Sequence, residues 1–325
     1  MVRGTHAVTT GSGLVRTVLA DVAPQSLGVI DYHEHLFQVS PMLIGDELDD
    51  EELSGREAAL LFADGVMAMV EATPTGLGRN VEAVARISAS TGLAIVHVTG
   101  AHHAGHYRAD DRLLAASVSG LAERFTADVR DGFVLGNGCP ALAPDRSPVR
   151  AGLAKAGVRY WSIGVFESRV LEAVAATSLA TGCAVMVHLD HGSASHEVLD
   201  LLAGHGLAAD RVVLAHIDRN LDPGLHASLA ERGAYIGYDG MARHREASDA
   251  AILDCLVAAV ESGAGERIVL GGDVARSSRY LAYGGIPGLG YLPRRFLPQL
   301  AGRVDAAAYA LLTAGNAARV LTLAP

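Results

Sequence analysis

Eight short apolar runs, spread along 325 residues, constrain this chain more than any other feature. They are Gly28–Asp31, Val66–Glu71, Leu93–Val98, Leu153–Ala156, Ala184–Val187, Arg211–Ala215, Ala234–Tyr238 and Arg267–Gly271. Stretches of helical period separate most of them, among them GRNVEAVARISASTG, ESRVLEAVAATSLATG, SASHEVLDLLAGHG and DAAILDCLVAAVESG. Several end in glycine after a polar residue, as helix C-termini prefer. Strands alternating with helices predict an α/β protein with a parallel sheet. Near-continuous apolar runs predict strands buried on both faces. Eight of them suit a closed (β/α)8 TIM barrel, with a doubly wound open sheet as the alternative.

No Pro/Ser-rich linker or low-complexity segment interrupts the pattern, so one barrel domain over 1–325 is expected. Within it, residues 1–27 would form an N-terminal hairpin segment, with VRTVLADVAPQSLG as a short lid ahead of the first barrel strand. The polar stretch Asp46–Arg56 and the stretch Gly284–Arg295 are expected as long βα loops.

The formal net charge is −10 and no run of lysine or arginine occurs, which argues against nucleic acid as a partner. Cys139, Cys183 and Cys255 are widely spaced and form no CxxC pair, so neither a disulfide framework nor a thiolate zinc site is expected. MVRGTHAVTT lacks the charged start and apolar core of a signal peptide, and no stretch approaches the ~20 apolar residues of a spanning helix. These features predict a soluble, cytoplasmic protein that acts on a small molecule away from membranes.

Histidine position is more informative than the total of 14. His33 and His35 follow GVID in the order Asp-Tyr-His-Glu-His; residues two apart on a strand share a face, so both imidazoles can point into a barrel mouth. His188 ends AVMVH, His216 ends RVVLAH and Asp273 ends RIVLGGD, the strand positions where a barrel carries its reactive groups. Any one could be a hydrogen-bonded core residue, but an unpartnered group there is costly, and metal ligation would supply each with a partner. Imidazole and carboxylate without thiolate suit zinc, with manganese, cobalt or iron as alternatives. Arg243 and His244 could meet an anionic or polar substrate group; His6, His205 and His226 are read as surface residues.

GVIDYHEHLF, ATPTGLGRN, VTG, the strand ends at His188 and His216, and GGDVARSSRY together resemble the phosphotriesterase-like branch of the amidohydrolase superfamily. The resemblance covers essentially the whole chain. It implies a hydrolase with two divalent metals, bridged by a lysine carboxylated by carbon dioxide, or by glutamate, from the fourth strand. Two alignments compete: VRYWSIG would place Ser162 at the bridge, whereas Arg150-Ala151-Gly152 followed by Lys155 repeats the family's wording. Lys155 stands 33 residues before His188, room for a loop, a helix and a strand, whereas Ser162 leaves 26. Lys155 is the reading adopted.

The site so implied has His33, His35 and Asp273 on one metal, His188 and His216 on the other, and Lys155 between them. A bridging hydroxide would attack, and Asp273 would relay the proton. Asp218, in the family pattern AHID, would orient ligands or help proton transfer, or else cap a helix. His102, His103, His106 and Tyr107 fall in a loop that lines the family's substrate pocket, with His103 and Tyr107 taken as contacts. Arg276 is either a substrate contact or half of an ion pair inside the barrel. A lactone, carboxylic ester or phosphoester is the expected substrate, with an N-acyl amide or a silent metabolite-binding barrel as alternatives. Relatives' dimers suggest a homodimer.

Overall fold

The computed structural model describes residues 13–243 and 245–325. His6 and His244 lie outside the described residues. The first elements, β1 (Val15–Arg16) and β2 (Asp21–Val22), pair antiparallel with Val15 opposite Val22. Eight strands follow: β3 (Ile30–Glu34), β4 (Ala68–Glu71), β5 (Ala94–Gly100), β6 (Leu153–Val158), β7 (Ala184–Leu189), β8 (Val212–Ala215), β9 (Tyr235–Tyr238) and β10 (Ile268–Leu270). Each lies parallel to the next, in the order β3 to β10, and forms a nearly closed barrel. All eight expected runs are strands, with ends shifted by a few residues.

The helices are α1 (Glu51–Ala63), α2 (Val81–Thr91), α3 (Val118–Arg130), α4 (Val165–Thr181), α5 (Ser195–Gly204), α6 (Pro223–Glu231) and α7 (Asp249–Glu261), followed by short helical turns from Leu292 to Leu321. Side chains of Asp50, Asn80, Ser117, Asp222 and Ser248 accept backbone N–H bonds at their N-termini. Half of the polar stretch Asp46–Arg56 is thus not loop: Asp50 caps α1, and Glu51 and Glu52 occupy its first turn, where the helix dipole favours them. Likewise Leu292–Phe296, inside the other expected loop, is helical.

Two apolar layers hold the barrel. Ile30, Val70, Val96, Leu153, Met186, Val213, Tyr235 and Val269 fill its interior, and a larger cluster lies between strands and helices. Fully burying one such aliphatic or aromatic side chain is worth about 1.5–3 kcal/mol. The β1–β2 hairpin is no lid over the mouth. Val18 N–H donates to Ile95 O (2.8 Å), and Arg16 Nη1 to Val129 O (2.7 Å), so it closes the end where the strands begin. His226 is fully buried rather than on the surface, bonded to Tyr238 Oη (2.6 Å) and Asn220 O (2.8 Å). Among the described residues, no helix is long and apolar enough to cross a membrane.

Candidate metal centre

Strand parity delivers most of the site. Leu153 belongs to the interior cluster, so Lys155, two residues on, also points into the barrel and is 1% exposed. By the same step, Met186 leads to His188, Tyr235 through Gly237 to Asp239, and Val269 through Gly271 to Asp273. A Cβ on Gly237 would collide with the Tyr32 hydroxyl, so glycine there lets Tyr32 cross the barrel to Asp239.

Two histidines depart from simple parity. Ala215 faces the interior, so His216 would face the helices were it not for its left-handed φ of 66°, which re-aims the imidazole. On β3 the register slips between Asp31 and Glu34, and Tyr32 and His33 both reach inward. Among the described residues, every positive-φ non-glycine residue except Arg146 (Trp161, His191, Ala194, His216, Ala242, Asp273 and Ala275) follows a barrel strand. Backbone strain is concentrated at the mouth.

The side chains converge there. Lys155 Nζ lies 3.1 Å from His33 Nε2. Asp273 Oδ1 lies 3.8 Å from His33 Nε2 and 3.7 Å from His35 Nε2, and His216 Nε2 lies 2.7 Å from His188 Nδ1. The opposite ring nitrogens are held from behind. Asp239 accepts from His33 Nδ1 (3.0 Å), His216 Nδ1 (2.6 Å) and the Tyr32 hydroxyl. Asp190 Oδ1 holds His188 Nε2 (2.7 Å), and Thr73 Oγ1 holds His35 Nδ1 (2.7 Å). A carboxylate on one nitrogen keeps the proton there and leaves the other lone pair facing the centre. Four imidazoles and a carboxylate presented in this way fit a pair of divalent cations.

The electrostatics agree. Burial presses Lys155 down to about 8, despite the nearby carboxylates of Asp273, Glu71 and Asp239. Burial alone would raise Asp273, but Arg243, with His33 and His216, holds it far below the usual carboxylate range. Arg243 Nη2 meets Asp273 Oδ2 at 2.6 Å and Arg219 Nη2 meets it at 2.9 Å. Asp239 is also pulled well down against its burial, chiefly by His216. Burial pushes His216 to about 4, so it stays neutral and able to ligate.

Ser162 lies in an exposed turn after β6, away from this cluster. Asp218 is buried and caps no helix: its Oδ2 accepts from Gly240 N–H (2.7 Å), fixing the turn that carries Asp239. Tyr107 spends its hydroxyl on Thr75 O (3.0 Å) and His102 N–H (2.8 Å), so it builds the loop behind the pocket. His103 Nδ1 accepts from Gly105 N–H (3.2 Å) and is likewise behind the wall, whereas His102 and His106 line the cavity. Arg276 pairs with Asp46 (3.3 Å) at the rim, half exposed, not inside the barrel. Arg243, Arg276, Arg219 and Lys155 all border the cavity, whose volume is about 210 Å³.

His102, His103 and His106 also stand close enough together to suggest a cation site. Their hydrogen bonds argue otherwise. His102 Nδ1 accepts from His103 N–H (2.9 Å), and His103 Nδ1 from Gly105 N–H, so each ring's proton sits on Nε2. These two rings are donors, not ligands. The sequence reading missed Asp239, Arg219 and Asp190; of these, Asp239 carried a readable signal, since it closes YIGY as Asp273 closes RIVLGG.

The sequence matches the Phosphotriesterase family over residues 13–313. It is 31% identical over 299 residues to a phospho-furanose lactonase of Mycoplasmopsis agalactiae, covering 88% of this chain and 84% of that protein. It is 27% identical to an N-acetyltaurine hydrolase of Tetraodon nigroviridis, covering 89% and 92%. The crystal structure of a lactonase from Listeria monocytogenes superposes with a TM-score of 0.86 at 26% identity, over 96% of this chain and all of that one.

Proposed function

The chain belongs to the phosphotriesterase family, and from that premise we propose that it is a binuclear-metal hydrolase that opens the ester bond of a lactone. The observation that supports the reading is the position of Lys155 Nζ, 3.1 Å from His33 Nε2, in one cavity lined also by His35, His188 and Asp273. His33, His35 and Asp273 would hold one cation, His188 and His216 the other, and Lys155 would bridge. Zinc suits this donor set best. Two divalent ions bound there supply Lewis acidity toward a carbonyl and make water acidic enough to act as nucleophile near neutral pH.

The protein's own groups do the rest. A lysine pressed to about 8 has a free-base fraction at neutral pH. Its amine adds to carbon dioxide, forming an N–C bond and releasing one proton, and the resulting carbamate offers the anionic oxygens that an ammonium lacks. Asp273, kept ionised by Arg243 and Arg219, accepts the nucleophile's proton and passes it to the leaving alkoxide. Arg243 and Arg276 give the cavity a positive wall, which suits an anionic substituent on the substrate. The names of the lactonase relatives support a cyclic ester; the N-acetyltaurine hydrolase relatives support the second reading, cleavage of a small N-acyl amide.

Metal analysis of purified protein tests the two-metal reading: about two equivalents per chain are expected, and trace metal would sink it. A panel of aldonolactones, with and without a phosphate, aryl esters, N-acyl amino acids and a phosphotriester tests the substrate class. Turnover confined to the N-acyl compounds would replace the lactone reading with the amide one.

A further inference from the structure

A second and larger cleft, about 720 Å³, opens beside the metal cavity at the same barrel mouth. It is lined by the rings of Tyr160, Trp161 and His191 and by the polar Asp190, Arg219 and Asn220. We propose that this cleft is a distal subsite that binds a sugar ring attached to the lactone beyond the scissile bond. The inference rests on the hydrolase reading above and extends it from a single ring to a glycosylated one.

Arg219 borders both cavities, so the cleft adjoins the site. Asp190 ties the two together: its Oδ1 accepts from the His188 ring (2.7 Å), and its Oδ2 accepts from Tyr160 N–H (3.2 Å). Ser193 Oγ accepts from Trp161 N–H (3.0 Å) and itself donates to Asp190 O (2.7 Å). The loop bearing the aromatic rings is therefore hung on the turn that follows the candidate ligand His188.

The wall is built at a cost that the fold alone does not explain. Trp161 is 63% exposed and Tyr160 60% exposed, and Trp161 and His191 hold left-handed φ values of 49° and 54°. A bulky side chain left in water on a strained backbone is uncommon outside binding sites. The rings meet edge to face, Tyr160 with Trp161 at 6.4 Å and with His191 at 5.9 Å, and all three line the cleft. Arg219, which lines the same cleft, is held in place by Asp273 (Nη2 to Oδ2, 2.9 Å) and Glu246 (Nε to Oε2, 3.5 Å). Aromatic faces take the C–H face of a sugar, while a carboxylate, an amide and a guanidinium take its hydroxyls. Size agrees: the 210 Å³ metal cavity suits one small ring, and the second ring needs the cleft.

Trp161 is the only tryptophan in the chain, so its emission reports on the cleft directly. The metal-loaded enzyme is titrated with a disaccharide aldonolactone (lactobiono- or maltobionolactone) and with gluconolactone. The disaccharides should shift or quench the emission saturably, with half-saturation near their KM. Trp161→Ala should raise that KM about tenfold and leave kcat/KM for gluconolactone within about twofold, while Trp161→Phe should restore most of the loss. The proposal is overturned if disaccharide lactones leave the emission unchanged, or if Trp161→Ala alters both substrates alike. It is also overturned if the emission follows protein concentration and Trp161→Ala dissociates a dimer, which would make the wall an interface. A saturable emission response without turnover of any lactone would keep the cleft and sink the lactone reading instead.

Discussion

Asp239→Asn isolates what holds the site together, because it changes charge while keeping shape. Asp239 is fully buried and accepts from three side-chain donors, His33 Nδ1 (3.0 Å), His216 Nδ1 (2.6 Å) and the Tyr32 hydroxyl. Asparagine offers one acceptor oxygen and, in place of the other, an NH2 that is itself a donor. At least one imidazole must then move its proton to Nε2, the nitrogen facing the centre, where it blocks a lone pair. Hydrogen bonds to a charged group contribute about 1.5–3 kcal/mol each. Loss of such an outer partner typically lowers metal affinity or activity about 10–100-fold, or roughly 1.4–2.7 kcal/mol. Dialysis against graded chelator, followed by elemental analysis, should show the variant losing metal at 10–100-fold lower chelator than the parent. kcat/KM should fall by a similar factor, with circular dichroism unchanged. A variant that keeps its metal at the parent's chelator concentrations would refute the claim that Asp239 sets the tautomers of His33 and His216.

Two further outcomes follow from the same geometry. Lys155→Met keeps the chain length but removes the bridging nitrogen, so it should hold at most one metal and lose at least about 100-fold in activity, whereas Ser162→Ala should stay within about twofold; the reverse pattern would restore the VRYWSIG alignment. Metal-free protein should lose stability as pH falls from about 6.5 towards 5, because nine buried or half-buried histidines (His33, His35, His97, His102, His103, His106, His188, His216 and His226) are held below their ordinary value, mainly by desolvation. There the unfolded chain binds protons that the folded one refuses, and His216, at about 4 against 6.5, accounts for roughly 2 kcal/mol by pH 5. Asp31, Glu34, Glu71 and Asp218 are raised by burial and act in the opposite sense, but they are fewer. Urea unfolding of chelated protein that is no weaker at pH 5 than at pH 7 would contradict this balance.

The barrel was legible because buried parallel strands are written as uninterrupted apolar runs, and a polar residue ending such a run marks the mouth. Run ends then marked His188, His216 and Asp273, alternation paired His33 with His35, and Lys155 came from the family wording Arg150-Ala151-Gly152 and its spacing to His188. His216 sits on the wrong parity and is rescued by a positive φ that no sequence rule announces. Tyr107 shows the opposite failure: a loop tyrosine reads as a substrate contact until its hydroxyl is seen to be spent on backbone groups. Asp46–Arg56 misled because the charges of a solvated helix N-terminus and those of a loop look alike. The substrate contacts depend on how loops from different strands meet, so they were the least readable part.

The seam of the barrel and the candidate centre are built from the same atoms. Among the described residues no ladder pairs β10 with β3. The gap is crossed by Asp273 N–H to His33 O (2.8 Å), Gly272 N–H to Asp31 Oδ1 (3.2 Å) and Val274 N–H to Glu34 Oε2 (2.9 Å). Two of these three bonds end on buried carboxylates whose other oxygens, Asp31 Oδ2 and Glu34 Oε1, have no partner. A seam of this kind is weaker than a strand ladder, since each unpartnered buried oxygen costs about 1–3 kcal/mol. His33, on β3, and Asp273, just past β10, are candidate ligands of one ion, so a cation held by both would span the seam. Occupancy would then tighten the barrel as well as arm it, through the mass-action coupling of ligand binding to folding. Just past β10, Asp273 takes a φ of 43°, and its Oδ1 lies 3.8 Å from His33 Nε2 and 3.7 Å from His35 Nε2, so the seam and the proposed cation share one residue.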